Sequence, residues 1–242
     1  MRAVLPSGVL AVFLLALAGG ARAHDGHPTS SSKAANGVYA FVPEPGTYWL
    51  PPIKKAGGGP VLDEQGVMHD LADMLNGQIT IMAFIYTRCA DACPTASLQM
   101  SLLQDLAAQD RRLSPRMRLV SMSFDPDHDT SEVMAEHALQ WRSASRQASE
   151  WLFLTSPNRQ SLAPILAAYN QTVGARPEGQ FSAGPLTHIF RAFLVDQEGR
   201  IRNVYSLDFL DPKLVLNDVR TLLLDDESPR APYSVPGFPK KR

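Results

Sequence analysis

Continuous apolar runs alternate with helical patterns through the middle of the chain. Residues 79–86 (ITIMAFIY) are β-branched, aromatic and other apolar side chains, which is typical of a strand buried on both faces. Residues 94–112 then place leucines at helical spacing, beginning with Pro94, which suits the first helical position because no N–H is needed there. The same patterns predict strands over 117–124, 151–154, 189–195 and 201–205, and helices over 131–141, 158–169 and 212–224.

Both cysteines of the chain lie directly after the first apolar run. Cys89 and Cys93 fall within residues 87–95 (TRCADACPT), between the predicted strand and the predicted helix, with Cys93 as the expected cap residue. A helix N-terminus favours a thiolate over a thiol, so at least one cysteine is expected to have a lowered pKa. Arg88 adds a neighbouring cation, whereas Asp91 between the thiols opposes the effect.

The order of the elements predicts an α/β fold. Strand–helix units are followed by two strands that residues 196–199 (DQEG) join as a hairpin turn, and by a last helix. A cysteine pair at the first strand-to-helix junction of such a chain is the thioredoxin-like arrangement. We therefore expect a thioredoxin-like domain over residues 46–226, with a central mixed β-sheet flanked by helices.

The first residues of the chain have the pattern of an export signal. A positive start at residues 1–2 precedes a short apolar core at 9–18, and residues 21–23 (ARA) supply small side chains at the positions a signal peptidase reads. The core is too short for a membrane-spanning helix, which needs about 20 residues. We predict a signal peptide over residues 1–23, cleaved after Ala23, and a periplasmic protein with no stable membrane span after cleavage. An uncleaved membrane anchor is the alternative.

The segments on either side of the domain are rich in proline. Residues 24–45 are predicted to be a flexible linker, and an irregular entry segment continues to about residue 59. Residues 227–242 are predicted to be a disordered tail. Cleavage would leave His24 and His27 near the new N-terminus, where a terminal amine and imidazoles can chelate Cu(II); an ordinary flexible tail is the alternative.

The composition excludes some partners. The formal net charge is −1, which gives no electrostatic reason to expect binding to nucleic acid or to an anionic membrane surface. Hydrophobic residues make up 45% of the chain, enough for a sizeable core. Met82 and Met100 flank the cysteines in sequence, and we interpret both as core residues.

Paired thiols in an oxidising compartment could be a structural disulfide, a redox couple, a soft-metal site or two core residues, and the polar loop around them disfavours the last. A purely structural disulfide across so short a loop would contribute little, because the entropic stabilisation grows with loop length. A redox couple and a soft-metal site both remain open. Two thiolates suit Cu(I) or Zn²⁺, but zinc in a structural site takes four protein ligands and there is no second cysteine pair. Copper, which accepts two sulfurs and one imidazole, is the better fit.

One histidine is expected to approach the cysteines. His188 opens the predicted strand 189–195, and in a thioredoxin-like sheet the loop before that strand faces the first strand-to-helix junction. It is either a ligand or an ordinary hydrogen-bonded residue at a strand end. We interpret His137 as a half-buried residue of a helix, and His69 as a turn residue without a partner. The chain contains six histidines: His24, His27, His69, His128, His137 and His188.

An acidic stretch follows the second strand. Asp125, Asp127 and Asp129 alternate as in a calcium loop, but Thr130 occupies the position where an EF-hand requires glycine. We instead interpret Asp129 as a helix cap, with Glu132 three residues further on.

Three motifs together resemble the Sco/SenC family of exported copper proteins of cytochrome oxidase assembly. They are residues 84–95 (FIYTRCADACPT), residues 123–130 (SFDPDHDT), and His188 followed by a strand that ends at 195–196. The resemblance spans about residues 46–224.

The resemblance implies a ligand set and a role. It implies a thioredoxin-like fold in which Cys89, Cys93 and His188 hold one copper ion, as Cu(I) or Cu(II). Two departures from the family pattern stand out: Ala90 replaces the proline that usually follows the first cysteine, and Thr187 replaces the aspartate that commonly precedes the histidine. The loop is then less rigid, and a possible acceptor for the imidazole is missing.

Two functions follow as hypotheses. The first is a periplasmic metallochaperone that delivers copper to a cuproenzyme, with the copper-site subunit of cytochrome c oxidase as the expected recipient and other periplasmic copper carriers as further partners. The second is an enzyme, a thiol–disulfide reductase acting on the cysteines of a copper-site protein through Cys89 and Cys93, without need of His188. A peroxidase of the peroxiredoxin type is disfavoured because the proline–threonine–cysteine spacing is absent.

Overall fold

The structure, a computed structural model, describes residues 42–177, 179 and 181–227. The predicted signal peptide, His24, His27 and most of the predicted linker and tail lie outside the described residues. Within the described residues, no helix is both long and apolar enough to cross a membrane. The strands are β1 Lys54–Lys55, β2 Pro60–Leu62, β3 Met68–Asp70, β4 Ile79–Ile85, β5 Met117–Ser123, β6 Glu150–Leu154, β7 Val173–Ala175, β8 Leu186–His188, β9 Ala192–Val195 and β10 Arg200–Tyr205. The helices are α1 Leu71–Met74, α2 Ala92–Ala108, α3 Ser131–Trp141, α4 Arg159–Ala168 and α5 Pro212–Glu227.

A mixed six-stranded sheet carries the fold, in the order β1-β10-β9-β4-β5-β6. β4, β5 and β6 pair in parallel, whereas β9 is antiparallel to both β4 and β10. The α/β organisation with a mixed sheet is therefore as the sequence predicts. The carboxyl ends of the parallel strands β4 and β5 lie at one edge of the sheet, and ligand sites of open α/β sheets form at such edges.

The central strand is enclosed by the core. All seven residues of β4 are buried, as their continuous apolar run predicts. The ring of Phe84 packs edge-on against Tyr169 and Phe193, with centroids 5.3 and 6.0 Å apart. Met82 and Met100 are both buried in this core, which confirms their interpretation as core residues.

The segment around His188 differs from the prediction. The strand expected over 189–195 begins only at Ala192. His188 instead ends β8, which pairs with β7 in a separate two-stranded sheet. The apolar run misleads because Ile189, 70% exposed, lies in the connection between the two sheets and contributes nothing to the core.

Short edge strands were missed by the hydrophobic pattern. β1 lies inside the segment predicted to be irregular, yet it extends the main sheet: the N–H of Ile53 donates to Ile201 O and that of Ala56 to Gly199 O, both at 2.8 Å. Two exposed lysines form this strand, so only its backbone hydrogen bonds define it. A pattern of apolar side chains cannot detect such an element.

The loop before β8 packs tightly on the end of β4 at Gly184. This residue has φ +96°, and an added Cβ would lie 2.3 Å from Tyr86 Oη and 2.6 Å from the Arg88 carbonyl oxygen. Neither group can move without displacing the segment that carries the cysteines. Gly77 also has a positive φ, +84°, but an added Cβ there meets nothing within 4 Å.

We predict that Gly184→Ala destabilises the protein more than Gly77→Ala. Gly77→Ala introduces only backbone strain, about 1 kcal/mol. Gly184→Ala adds a steric clash and is expected to lower the free energy of unfolding by about 2 kcal/mol more. Urea denaturation of the two variants and the parent measures this difference, and equal losses would contradict the close packing of this loop.

Candidate metal centre

The two cysteines are free thiols at the junction of β4 and α2. The N–H of Cys89 donates to Tyr86 O at 3.2 Å, and the N–H of Cys93 donates to Cys89 Sγ at 3.4 Å. Cys89 is half-buried and Cys93 is buried. Because α2 begins at Ala92, two residues earlier than predicted, Cys93 lies in its first turn and is not the cap; Asp91 is the cap residue, without a side-chain capping hydrogen bond.

The two cysteines differ in protonation: Cys89 favours the thiolate and Cys93 the thiol. A hydrogen bond from the Cys93 thiol is the main cause that lowers the pKa of Cys89 to about 6, helped by the N–H groups of Asp91 and Cys93 and opposed by partial burial. The same hydrogen bond and burial raise the pKa of Cys93. The expected contribution of Arg88 is absent, since its guanidinium is paired with the buried carboxylate of Asp125 at 2.6 Å. Hydrogen bonds therefore stabilise the charge on Cys89.

His188 has the properties of a metal-ligating imidazole. Its Nε2 is buried without a hydrogen-bond partner, and its ring packs against Phe124 and Tyr86 with centroids 4.5 and 6.4 Å away. Burial, assisted by Arg176 and opposed by Asp91, lowers the pKa of His188 to about 4. The ring is therefore neutral at pH 7, the form that binds metals. A backbone hydrogen bond with Phe84 partly opposes this lowering of the His188 pKa, so the ring has a protein partner besides its unpartnered Nε2.

The loop before β8 contacts the cysteine loop, as the topology predicts. Tyr86 Oη donates to Leu186 O at 2.9 Å, and the N–H of Ala90 donates to Ala183 O at 3.4 Å. The three predicted ligands do not, however, form a closed set. Across the described residues, the one group of three or more His, Cys, Asp or Glu side chains whose donor atoms all lie within 4.8 Å of one another is Asp125, His128 and Asp129.

Asp129 positions the cysteine loop. Its fully buried carboxylate accepts the Thr87 N–H at 3.0 Å and the hydroxyls of Thr87 and Ser123, both at 2.5 Å. The interpretation of Asp129 as a helix cap is thus wrong: Thr130 caps α3 by accepting the N–H of Val133. Three hydrogen bonds from Thr87 and Ser123 stabilise the buried charge more than a single N–H of a helix would.

A cavity of about 250 Å³ opens beside the cysteines. Cys89 and Cys93 line one side, and one face of α3, including His137 and Trp141, lines the other. His137 is half-buried as the sequence indicates, but the hydrophobic pattern gave no reason to associate it with the cysteines. Its spacing of four residues from Val133 and from Trp141 was the available signal that one helical face would be shared.

The interpretation of His69 as a residue without a partner is wrong. The Nε2 of His69 lies 2.7 Å from a carboxylate oxygen of Asp63. This pair lies outside the cysteine cavity, and both residues line a different one. His69 therefore serves as a control histidine in the experiments below.

A thiol pair at the first strand-to-helix junction of a mixed sheet, with a neutral imidazole on the adjoining loop, defines a thioredoxin-like protein with a soft-ligand site. The SCO1/SenC family model matches residues 61–224. The match covers more than half of the chain, and the protein belongs to the SCO1/SenC family.

Individual relatives are similar at low sequence identity. A SCO1 protein homolog of Bacillus subtilis (strain 168) is 22% identical over 134 residues, which cover 55% of this chain and 65% of that protein, slightly less than two thirds of its length. The structure of Arabidopsis thaliana ScoI with copper bound has a TM-score of 0.60 at 18% identity, covering 70% of this chain and 98% of that one. BsSco, described as having a disulfide switch and as one of the Sco family of cytochrome c oxidase assembly proteins, has a TM-score of 0.56 at 20% identity, covering 71% and 95%. The predicted thioredoxin-like fold is thereby confirmed.

We predict that the metal-free, reduced protein titrates one thiol near pH 6. Cys89 is expected to be alkylated by iodoacetamide with a midpoint at its pKa of about 6, while Cys93 stays protonated and reacts slowly. Cys93→Ala removes the main hydrogen bond and should move the Cys89 midpoint upward. Mass spectrometry of the alkylated peptides measures both rates. An unchanged midpoint in Cys93→Ala would refute the assigned cause.

We also predict that Asp129→Ala loosens the cysteine loop. It leaves the donors of Thr87 and Ser123 without an acceptor, which should lower the free energy of unfolding by about 3 kcal/mol. Asp127→Ala is the matched control, because Asp127 is exposed and pairs only with exposed Arg159, a surface pair expected to contribute about 0–1 kcal/mol. Urea denaturation compares the two variants; similar losses would contradict the positioning role of Asp129.

Proposed function

We propose that this protein is a periplasmic metallochaperone that holds copper with Cys89, Cys93 and His188 and delivers it to a copper-site subunit of cytochrome c oxidase. The observation that carries the proposal is the buried Nε2 of His188, which lacks a hydrogen-bond partner. A buried ring nitrogen without a partner is unfavourable for folding, and a metal ion satisfies it.

The donor set suits copper. Two sulfurs and one neutral imidazole are soft and borderline ligands, which favour Cu(I) over hard cations. Cys89 with its pKa of about 6 is deprotonated at neutral pH, so one sulfur needs no proton loss to bind. The three donor atoms are not all within 4.8 Å of one another, so binding of one ion by all three requires them to move closer together.

Delivery to an oxidase rests on family membership. BsSco is described as one of the cytochrome c oxidase assembly proteins, and ScoI of Arabidopsis thaliana has been solved with copper bound. Export to the periplasm, through the predicted signal peptide over residues 1–23, would bring the cysteines to the compartment in which they could meet such a recipient and other copper carriers.

A second candidate is a thiol–disulfide reductase. The division of the pair into a half-buried thiolate, Cys89, and a buried thiol, Cys93, favours it, since this is how an attacking and a resolving cysteine differ. In that reaction Cys89 attacks a sulfur of a substrate disulfide and Cys93 then displaces the reduced substrate. The products are a Cys89–Cys93 disulfide and two substrate thiols, and a thiol donor must reduce the pair again. His188 is not needed for any of these steps.

We predict that the reduced protein, residues 24–242, binds one Cu(I) tightly. Competition against a coloured Cu(I) chelator measures the affinity. Cys89→Ser and Cys93→Ser are each expected to weaken binding by more than about a hundredfold, and His188→Ala by about tenfold, since each tenfold change corresponds to about 1.4 kcal/mol. His69→Ala, which removes a histidine outside the site, is expected to leave the affinity unchanged.

The same variants separate the two functions. Reduction of a disulfide in a copper-site protein should survive in His188→Ala if the protein is a reductase, because only the cysteines react. Absence of tight Cu(I) binding by the parent protein, with ready cycling of the cysteines to a disulfide, would overturn the metallochaperone and leave the reductase. One tight Cu(I), lost with either cysteine, would support the metallochaperone.

A further inference from the structure

His137 lines the cavity beside the cysteines, although the donor atoms of His137, Cys89 and Cys93 are not all within 4.8 Å of one another. The wall of this cavity on the α3 side is a helical face that includes Val133, His137 and Trp141, and its opposite side includes both cysteines. An ion that enters this cavity has both cysteines and His137 among the residues that surround it. The volume, about 250 Å³, is enough for a hydrated metal ion or one incoming side chain, but not for a large organic ligand.

His137 has the features expected of an available ligand. Its Nε2 is buried and has no hydrogen-bond partner. Its ring is surrounded by aromatic rings, with centroids of Trp141 at 6.2 Å and Phe153 at 5.9 Å. Burial lowers the pKa of His137, against the opposing charge of Asp129, which favours the neutral imidazole that metals bind.

The two histidines occupy different surroundings. His188 packs against Tyr86 and Phe124, and among the described residues that line the cavity His137 is present and His188 is not. Tyr86 belongs to both surroundings: it lines the cavity and also contacts the His188 ring. His137 therefore lines the cavity together with the cysteines, whereas His188 lies outside that lining and packs against Tyr86 and Phe124.

We propose that His137 is a second imidazole ligand for Cu(I), bound together with Cys89 and Cys93 on the cavity side as an alternative to His188. This inference rests on the proposed copper-binding function. Exchange between the two arrangements breaks the bond from His137 to the ion and makes the bond from His188, while both sulfurs stay bound. Both imidazoles are neutral and copper stays Cu(I), so no electron or proton is consumed.

The test uses a pair of substitutions matched in size. His137→Leu removes the nitrogen donor, whereas His137→Met places a thioether, a Cu(I) ligand, in a side chain of similar volume. Each is made in the parent protein, residues 24–242, and in His188→Ala, with His69→Ala as the histidine control. Cu(I) affinity is measured by chelator competition, and X-ray absorption spectroscopy counts the nitrogen and sulfur ligands.

In the His188→Ala background, His137→Leu is expected to weaken Cu(I) binding by about tenfold, equivalent to about 1.4 kcal/mol, and His137→Met is expected to restore it. The absorption spectrum of His188→Ala should show two sulfurs and one nitrogen, and that nitrogen should be lost in His188→Ala/His137→Leu. In the parent background His69→Ala should leave the affinity unchanged, because His69 pairs with Asp63 outside this cavity.

Either of two results would show that His137 does not bind copper. If His137→Leu and His137→Met have the same affinity in the His188→Ala background, or if His188→Ala binds copper through two sulfurs alone, His137 is not a ligand. That outcome, with tight and cysteine-dependent Cu(I) binding in the parent, overturns this inference and leaves the proposed function standing. Loss of tight binding in the parent itself would overturn both.

Discussion

The buried carboxylate of Asp129 joins the ends of two parallel strands and so fixes the segment that carries the cysteines. It accepts the backbone N–H and hydroxyl of Thr87, just after β4, and the hydroxyl of Ser123, the last residue of β5. A charge with no exposed surface is tolerated because hydrogen-bond donors surround it. Cys89 follows Thr87 by two residues, so this cluster fixes the start of the segment that carries it.

A second constraint comes from the loop before β8, a strand of the separate two-stranded sheet. Gly184 lies so close to Tyr86 and to the Arg88 carbonyl that no side chain fits, and Tyr86 Oη donates to Leu186 O. The loop that leads to His188 is thus held against the same segment that Asp129 holds from β5. The contacts that order the cysteine loop also join the ends of β4 and β5 to the β8 segment. The same contacts therefore stabilise the fold and position the candidate site.

Much of the fold could be predicted from the sequence, since its strongest signal is burial. The apolar run that became β4 is buried on both faces, and the helix over 131–141 was predicted with its observed bounds. Elements defined by backbone hydrogen bonds alone, such as β1, left no trace in the hydrophobic pattern. The segment at His188 was misassigned for the related reason that exposed Ile189 has the composition of a strand residue without its burial.

The candidate site was predictable only in part. The sequence indicates which residues are candidate ligands, but not which side chains surround them in the folded protein. The spacing of Cys89 and Cys93 indicates paired thiols, and the resemblance to a family indicated His188. No pattern along the chain shows that the Arg88 guanidinium forms an ion pair with Asp125, or that His137 lines the same cavity as the thiols. These relations join residues about 40 positions apart and arise only once the strands pair.

The electrostatics of the pair bear directly on how it would take up a cation. Arg88 is paired with Asp125, and the guanidinium of Arg176 lies 3.7 Å from Asp91, so hydrogen bonds stabilise the Cys89 thiolate in place of a fixed cation. A bound Cu(I) would neutralise that charge without displacing a protein cation. The raised pKa of Cys93 means that its proton must leave when the second sulfur binds. Metal uptake by both sulfurs would thus be coupled to proton release, and acidification would weaken it by opposing that release.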